Sequence, residues 1–188
     1  LDYALAPTLF FEFHGSDAGV REQVENVKAI AADFGADDFQ WATRPEDRNK
    51  LWQARHDAYY AAIALRPGCR GIATDVCVPI SRLADCILET RKDIDASGLC
   101  APIVGHVGDG NFHVIFVVDF DNEDEIKKAE EVNERMVLRA IAMEGTCTGE
   151  HGIGYGKMDF LTAEHGDAIA AMRAVKLALD PQNIMNPG

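Results

Sequence analysis

The sequence predicts an α+β fold: a ferredoxin-like antiparallel sheet with helices on one face, followed by a C-terminal helical subdomain. Three observations carry that expectation. Short apolar runs of strand length alternate with segments whose apolar residues recur at helical spacing. An Asp-Gly pair, Asp109-Gly110, lies between two apolar runs, which is the preferred chemistry of a tight hairpin turn. After residue 120 strand-like alternation disappears and helical spacing takes over.

Taken in order, TLFFEFH at 8–14 reads as an aromatic-rich strand and 15–19 as a turn. Val20, Val24, Val27, Ile30, Ala31 and Phe34 then share one helical face. A short strand is expected at 39–42. Pro45 opens a helix at its first turn, where a missing N–H costs little, and Pro67-Gly68 stops it near residue 65. GIATDVCVP at 71–79 reads as a strand, and Ser81 is placed to cap the helix after it, to about residue 96. Strands follow at 101–107 and 112–119. Asp121 is placed to cap a long helix with Ile126, Ala129, Met136, Val137 and Ala140 on one face, ended by Gly145. A glycine-rich loop and a short helix ending before Asp180-Pro181 complete the chain. The expected division is a ferredoxin-like substrate (cap) domain over 1–120 and a helical segment carrying the glycine-rich loop over 121–188.

Composition excludes several classes. The chain has 188 residues, 47% of them apolar, enough for a sizeable core. The formal net charge of −13, with no basic run, argues against a nucleic-acid partner. No apolar run approaches the roughly 20 residues a membrane-spanning helix needs, and no signal peptide is visible. Five cysteines, an odd number without a C-x-x-C pair, argue against a disulfide framework and point to a reducing compartment. The bacterial cytoplasm, or the mitochondrial matrix in a eukaryote, is expected. The chain begins at Leu1, not Met, as a piece of a longer protein would.

The chemistry concentrates in two stretches. In GHVGDGNFH at 105–113, a two-residue turn at Asp109-Gly110 sets His106 opposite His113. Directly opposed residues share a sheet face with Cβ atoms about 5 Å apart, so the two imidazoles can chelate one ion or merely pack on the sheet. In GTCTGEHGIGYGK at 145–157, five glycines allow close backbone approach to a ligand, and Glu150-His151 sets an anionic oxygen beside a titratable base. Two histidines, one carboxylate and an open position are the habit of catalytic metal sites. A third feature is Arg55, on a helical stripe with Leu51, Ala58 and Ala62, where it needs an anion: a structural carboxylate or a substrate carboxylate gripped by the guanidinium fork.

HVGDGNFH at 106–113, CTGEHGIG at 147–154 and LDPQNIMNPG at 179–188 together resemble the C-terminal domain of the FAD-linked oxidases, a group similar in build to vanillyl-alcohol oxidase. PTLFFEFHG at 7–15, PGCRG at 67–71 and TDVCVPISRL at 74–83 are most similar to its D-lactate dehydrogenase branch. The resemblance implies that His106, His113 and Glu150 bind a divalent ion, zinc or manganese. It implies that His151 is the base taking the hydroxyl proton, that Arg55 grips the substrate carboxylate, and that the C2 hydride passes to FAD. Hydroxyglutarate-oxidising relatives carry a lysine two residues before the Asp that is Asp75 here; Ala73 stands in its place, which favours a monocarboxylate.

The implied partners are a small 2-hydroxy acid, an N-terminal FAD-binding domain of the same protein, and an electron acceptor such as a cytochrome or quinone-linked carrier. On its own the chain is expected to fold but to be colourless and inactive, and its uncovered site face to promote homo-oligomers. The alternatives are a glycolate oxidase D subunit or a D-2-hydroxyglutarate dehydrogenase and, in other classes, a non-catalytic metal-binding regulatory domain or a metal hydrolase. The absence of His-Glu-x-x-His counts against the last.

Overall fold

A computed structural model describes residues 6–36 and 39–187. Two compact units divide the chain, Leu1–Ala58 and Tyr59–Gly188.

The first unit contains helices α1 (Asp17–Asp33) and α2 (Pro45–His56). Ser16 caps α1, its hydroxyl accepting from the Gly19 N–H at 3.3 Å. Pro45 occupies the first turn of α2. Neither 8–14 nor 39–42 forms a strand among the described residues, which corrects that part of the expected ferredoxin-like sheet. Aromatic propensity makes a strand only when a continuous partner edge is present, and the elements of this unit are helices. The helix expected from 45 to 65 is also divided: α2 stops at His56 and α3 spans Ala58–Ala64. The stripe Leu51, Arg55, Ala58 and Ala62 is therefore not one face of one helix.

The second unit is a small antiparallel sheet with two helices on one face. Its strands are β1 (Arg70–Ala73), β2 (Val76–Cys77), β3 (Ile103–His106) and β4 (Asn111–Val118). β1 and β2 pair with β4 in one continuous register, Arg70↔Val118 through Cys77↔Asn111, interrupted at Thr74 and Asp75. β3 pairs with β4 in the register Ile103↔Val114, Gly105↔Phe112 and His106↔Asn111.

Every residue of β4 is buried, but its two faces meet different things. Phe112, Val114, Phe116 and Val118 enter the main core with Leu83, Cys86 and Ile94 of α4 (Ile80–Ser97) and Val132, Met136 and Ala140 of α5 (Glu123–Ala142). With buried Thr90 between Cys86 and Ile94, these helix positions recur at steps of three and four, so each helix offers one buried stripe. On the other face Ile115 and Val117 pack against Ala62 of α3, with Cys69, Cys100 and Val104 beside them. Asn111 and His113 continue that second face and floor the site described below.

The helix caps differ slightly from expectation. α4 begins at Ile80 after Pro79, and Asn122, not Asp121, accepts from the Glu125 N–H at the start of α5. α5 shares the main core with the sheet, so the segment after residue 120 is not packed apart from it. The chain ends in two helices, α6 (Met158–His165) and α7 (Ala168–Leu179), parted by Gly166 at φ +51°. Among the described residues no helix is long and apolar enough to cross a membrane.

Candidate metal centre

The turn between β3 and β4 is longer than the two residues expected. Val107–Asp109 forms a 3₁₀ turn closed by Gly110, whose φ of +75° is in the left-handed region glycine tolerates. A Cβ on Gly110 would lie 2.0 Å from the Val78 carbonyl oxygen, so the backbones approach too closely there for any side chain. His106 accordingly faces Asn111 instead of His113. The shift is two residues, and side chains alternate with period two, so His106 stays on the face that carries His113. The two rings lie 6.2 Å apart, edge to face.

Glu150 closes the group. Its Oε1 is 3.1 Å from His113 Nε2 and 3.7 Å from His106 Nε2. One ligand atom from each of His106, His113 and Glu150 lies within 4.8 Å of the other two. Two atoms bound at about 2.1 Å in a tetrahedral shell sit roughly 3.4 Å apart, so the donor set fits a single divalent ion. His151 stands beside it, Nε2 3.5 Å from Glu150 Oε1 and its ring 5.3 Å from that of His113. The side chains of His106, Glu150 and His151 are 40–58% exposed, whereas that of His113 is 11% exposed.

His113 is held from behind. Its Nδ1 lies 2.8 Å from the Thr74 carbonyl oxygen. A carbonyl only accepts, so this contact places a hydrogen on Nδ1 and leaves Nε2, which faces Glu150, as the nitrogen turned toward the donor set. Asp75 Oδ1 is 3.8 Å from the same nitrogen.

The loop that presents Glu150 and His151 is wrapped on the Asp75 carboxylate. Oδ2 of Asp75 accepts from the N–H groups of Gly149, Glu150 and His151 at 2.9, 3.1 and 3.0 Å and from the Thr148 hydroxyl at 2.9 Å. Lys157 Nζ approaches it at 3.2 Å, and Asn111 donates to Oδ1 at 2.8 Å. Burial opposes ionisation of Asp75, but the His151 N–H, the Asn111 amide, the Glu150 N–H and the Thr148 hydroxyl outweigh it and hold the carboxyl well below the usual carboxylate range. Gly149 must be glycine, because a Cβ there would lie 1.9 Å from Asn111 Nδ2. Asn111 Oδ1 is the one buried side-chain nitrogen or oxygen without a partner among the described residues, an open acceptor beside the donor set.

The near end of the loop is pinned separately. Cys147 N–H donates to Glu164 Oε2 at 2.8 Å, while burial, then Glu164, pushes the Cys147 thiol up to about 11. At neutral pH that thiol is protonated and inert as a ligand or nucleophile.

The structure thus brings together His106, His113, Glu150 and His151, all in the second unit. Arg55 lies on α2 of the first. Sequence reasoning missed Thr74, Asp75, Asn111 and Lys157 as site-building residues. The signal was a polar Thr-Asp pair in the middle of an apolar strand, where buried polar groups demand partners.

A family model described as FAD linked oxidases, C-terminal domain, matches residues 1–188. Among curated proteins, the chain is 54% identical, over 100% of its length and 38% of the relative's, to the probable mitochondrial D-lactate dehydrogenase of Danio rerio. It is 46% identical, over 97% of its length and 32% of the relative's, to the mitochondrial D-lactate dehydrogenase (cytochrome) of Arabidopsis thaliana. It is 35% identical, over 96% and 38% respectively, to the glycolate oxidase subunit GlcD of Bacillus subtilis. The chain spans about a third of the length of the curated relatives it matches. With its whole length covered by the family model, the chain belongs to the FAD linked oxidases, as their C-terminal domain.

Proposed function

We propose that the protein carrying this chain oxidises D-lactate to pyruvate, with FAD taking the hydride and this chain supplying the metal and proton-transfer site. The observation that carries the reading is the convergence of two imidazoles, one carboxylate and a neighbouring imidazole in a chain whose relatives at 41–54% identity bear D-lactate dehydrogenase names. When bound, a zinc or manganese ion would acidify a hydroxyl placed against it, and FAD would accept the hydride.

The rest falls to the chain's own residues. His106, His113 and Glu150 hold the ion. His151, exposed and adjacent, takes the hydroxyl proton on a ring nitrogen. Arg55 grips the substrate carboxylate with its fork. Ala73 pairs with Ile115, two residues along β4 from His113, so that stretch of the site face offers no cation to a second carboxylate. This supports a monocarboxylate. FAD would be bound mainly by an N-terminal domain of the same protein, and the electrons would pass to a cytochrome or quinone-linked carrier. The mitochondrial names of the relatives support a mitochondrial location, of the two compartments expected.

The direct test is an absorbance scan of the intact protein. A flavin spectrum bleached by D-lactate is the expected result. Bleaching by glycolate or D-2-hydroxyglutarate with none by D-lactate would reassign the substrate, and no flavin at all would end the dehydrogenase reading.

A second test concerns Arg55. Charge-assisted hydrogen bonds are worth about 1.5–3 kcal/mol, so Arg55→Ala should lower kcat/KM for D-lactate roughly 10- to 100-fold. Arg55→Lys should recover only part of that, because an ammonium lacks the bidentate fork. Steady-state kinetics reading wild-type values in the alanine variant would remove Arg55 from the site.

A further inference from the structure

The strand formed by β1 and β2 breaks at Thr74 and Asp75 while its register with β4 runs through unchanged. In an antiparallel ladder the Thr74–Val114 pair should exchange two backbone bonds. Only one is made: Thr74 N–H donates to the Val114 carbonyl at 3.0 Å. The return bond goes elsewhere. Val114 N–H donates to the Thr74 side-chain hydroxyl oxygen at 2.8 Å. The Thr74 carbonyl is thereby released from the ladder and takes the His113 Nδ1 hydrogen at 2.8 Å. The next residue, Asp75, is only 3% exposed and spends its carboxylate on the three successive N–H groups of Gly149, Glu150 and His151.

We propose that Thr74 and Asp75 are paired positioning residues: the Thr74 hydroxyl substitutes for its own carbonyl in the sheet so that the carbonyl can orient His113, and the Asp75 carboxylate shapes the loop that brings Glu150 and His151 to the same point. This rests on the metal reading above and deepens it. Neither residue touches an ion or a substrate. One acts through the ring of His113 and the other through the backbone of 149–151. A threonine is suited to the first task, since its hydroxyl is an acceptor held near the backbone by a stiff β-branched side chain. A serine retains the same acceptor, whereas valine keeps the shape and loses it. Without the hydroxyl, Val114 N–H has the carbonyl at position 74 as its ordinary ladder acceptor and competes with His113 for it. His113 then loses the partner that holds its Nδ1 hydrogen and orients its ring. Outer-shell partners of this kind typically alter metal affinity by about 10- to 100-fold.

The experiment uses the intact protein in two states. In metal-free protein with ¹⁵N-labelled histidine, ring nitrogen shifts report the His113 tautomer, and hydrogen exchange reports the amides of 149–151. In the second state, competition with a chromophoric chelator measures zinc affinity. Wild type and Thr74→Ser should show a hydrogen held on His113 Nδ1, while Thr74→Val shifts that signal and weakens zinc binding about 10- to 100-fold. Asp75→Asn should speed exchange of the Gly149, Glu150 and His151 amides and weaken zinc by a similar factor. Thr90→Val is the control: it removes a buried hydroxyl on α4 that accepts from Arg139 and should leave the His113 tautomer and zinc affinity unchanged. If valine at 74 disturbs the core, Thr74→Ala gives the same readouts. An unshifted tautomer in the folded Thr74 variants, or unaltered exchange at 149–151 in Asp75→Asn, would overturn the positioning role. Wild-type protein that shows the tautomer and the slow amides but binds no zinc or manganese would overturn the metal reading alone.

Discussion

On the function proposed above, replacing His113 by alanine is expected to cost the intact protein its divalent ion and to lower D-lactate turnover by roughly 100-fold or more, beyond the range that loss of an outer-shell partner produces. His113 is the least exposed member of the donor set and the one whose free nitrogen is fixed by a backbone carbonyl. Its removal leaves His106 and Glu150, both substantially exposed, to hold an ion by two bonds. The same substitution opens a hole on a fully buried strand, so folding has to be checked alongside. His113→Asn, smaller in its damage to packing, separates the two effects. Metal content measured by mass spectrometry per flavin, together with turnover, decides the matter. A folded variant with one ion per flavin and wild-type turnover would remove His113 from the metal shell.

The second large effect is expected at His151. His151→Gln keeps a polar side chain of similar length but cannot accept a proton near neutral pH. General-base catalysis contributes about 10²- to 10⁴-fold, and kcat for D-lactate should fall by that order. The donor set of His106, His113 and Glu150 does not include His151, and the backbone N–H bond of His151 to Asp75 is indifferent to the side chain, so metal content and KM should change little. That split distinguishes a base from a ligand. A variant that retains kcat within a few-fold would assign proton removal to another group. A variant that loses its ion would make His151 part of the binding shell.

The fold class was legible because the apolar spacing of α5 and the strand character of β4 are strong, long signals. Residues 8–14 misled because aromatic content measures fitness for a sheet surface and says nothing of whether an edge is available. Among the site residues, the convergence of His106 and His113 was readable although the turn was not. Asp-Gly marks a turn without fixing its length, and here the close approach of Gly110 to Val78 sets a longer one. The error was an even number of residues, so the face was preserved. Glu150 was readable from its neighbours in the glycine-rich loop. Thr74 and Asp75 were not, because their partners lie about 40 and 75 residues away along the chain, respectively, and no local pattern encodes that distance.

The two-faced character of β4 has a consequence for how this chain can change in length. Even-numbered positions from Phe112 to Val118 spell the packing of α4 and α5, and odd-numbered positions from Asn111 to Val117 spell the site and the cover of α3. Two messages are thus interleaved on eight residues. Insertion or deletion of a single residue inside the strand would exchange them, sending an imidazole into hydrocarbon and a phenyl ring toward His106 and Glu150. Substitutions can be absorbed one message at a time; odd changes of length cannot. Variation in length is therefore confined to the segments between elements, and even the 107–110 turn is constrained there by the close approach of Gly110 to the Val78 carbonyl.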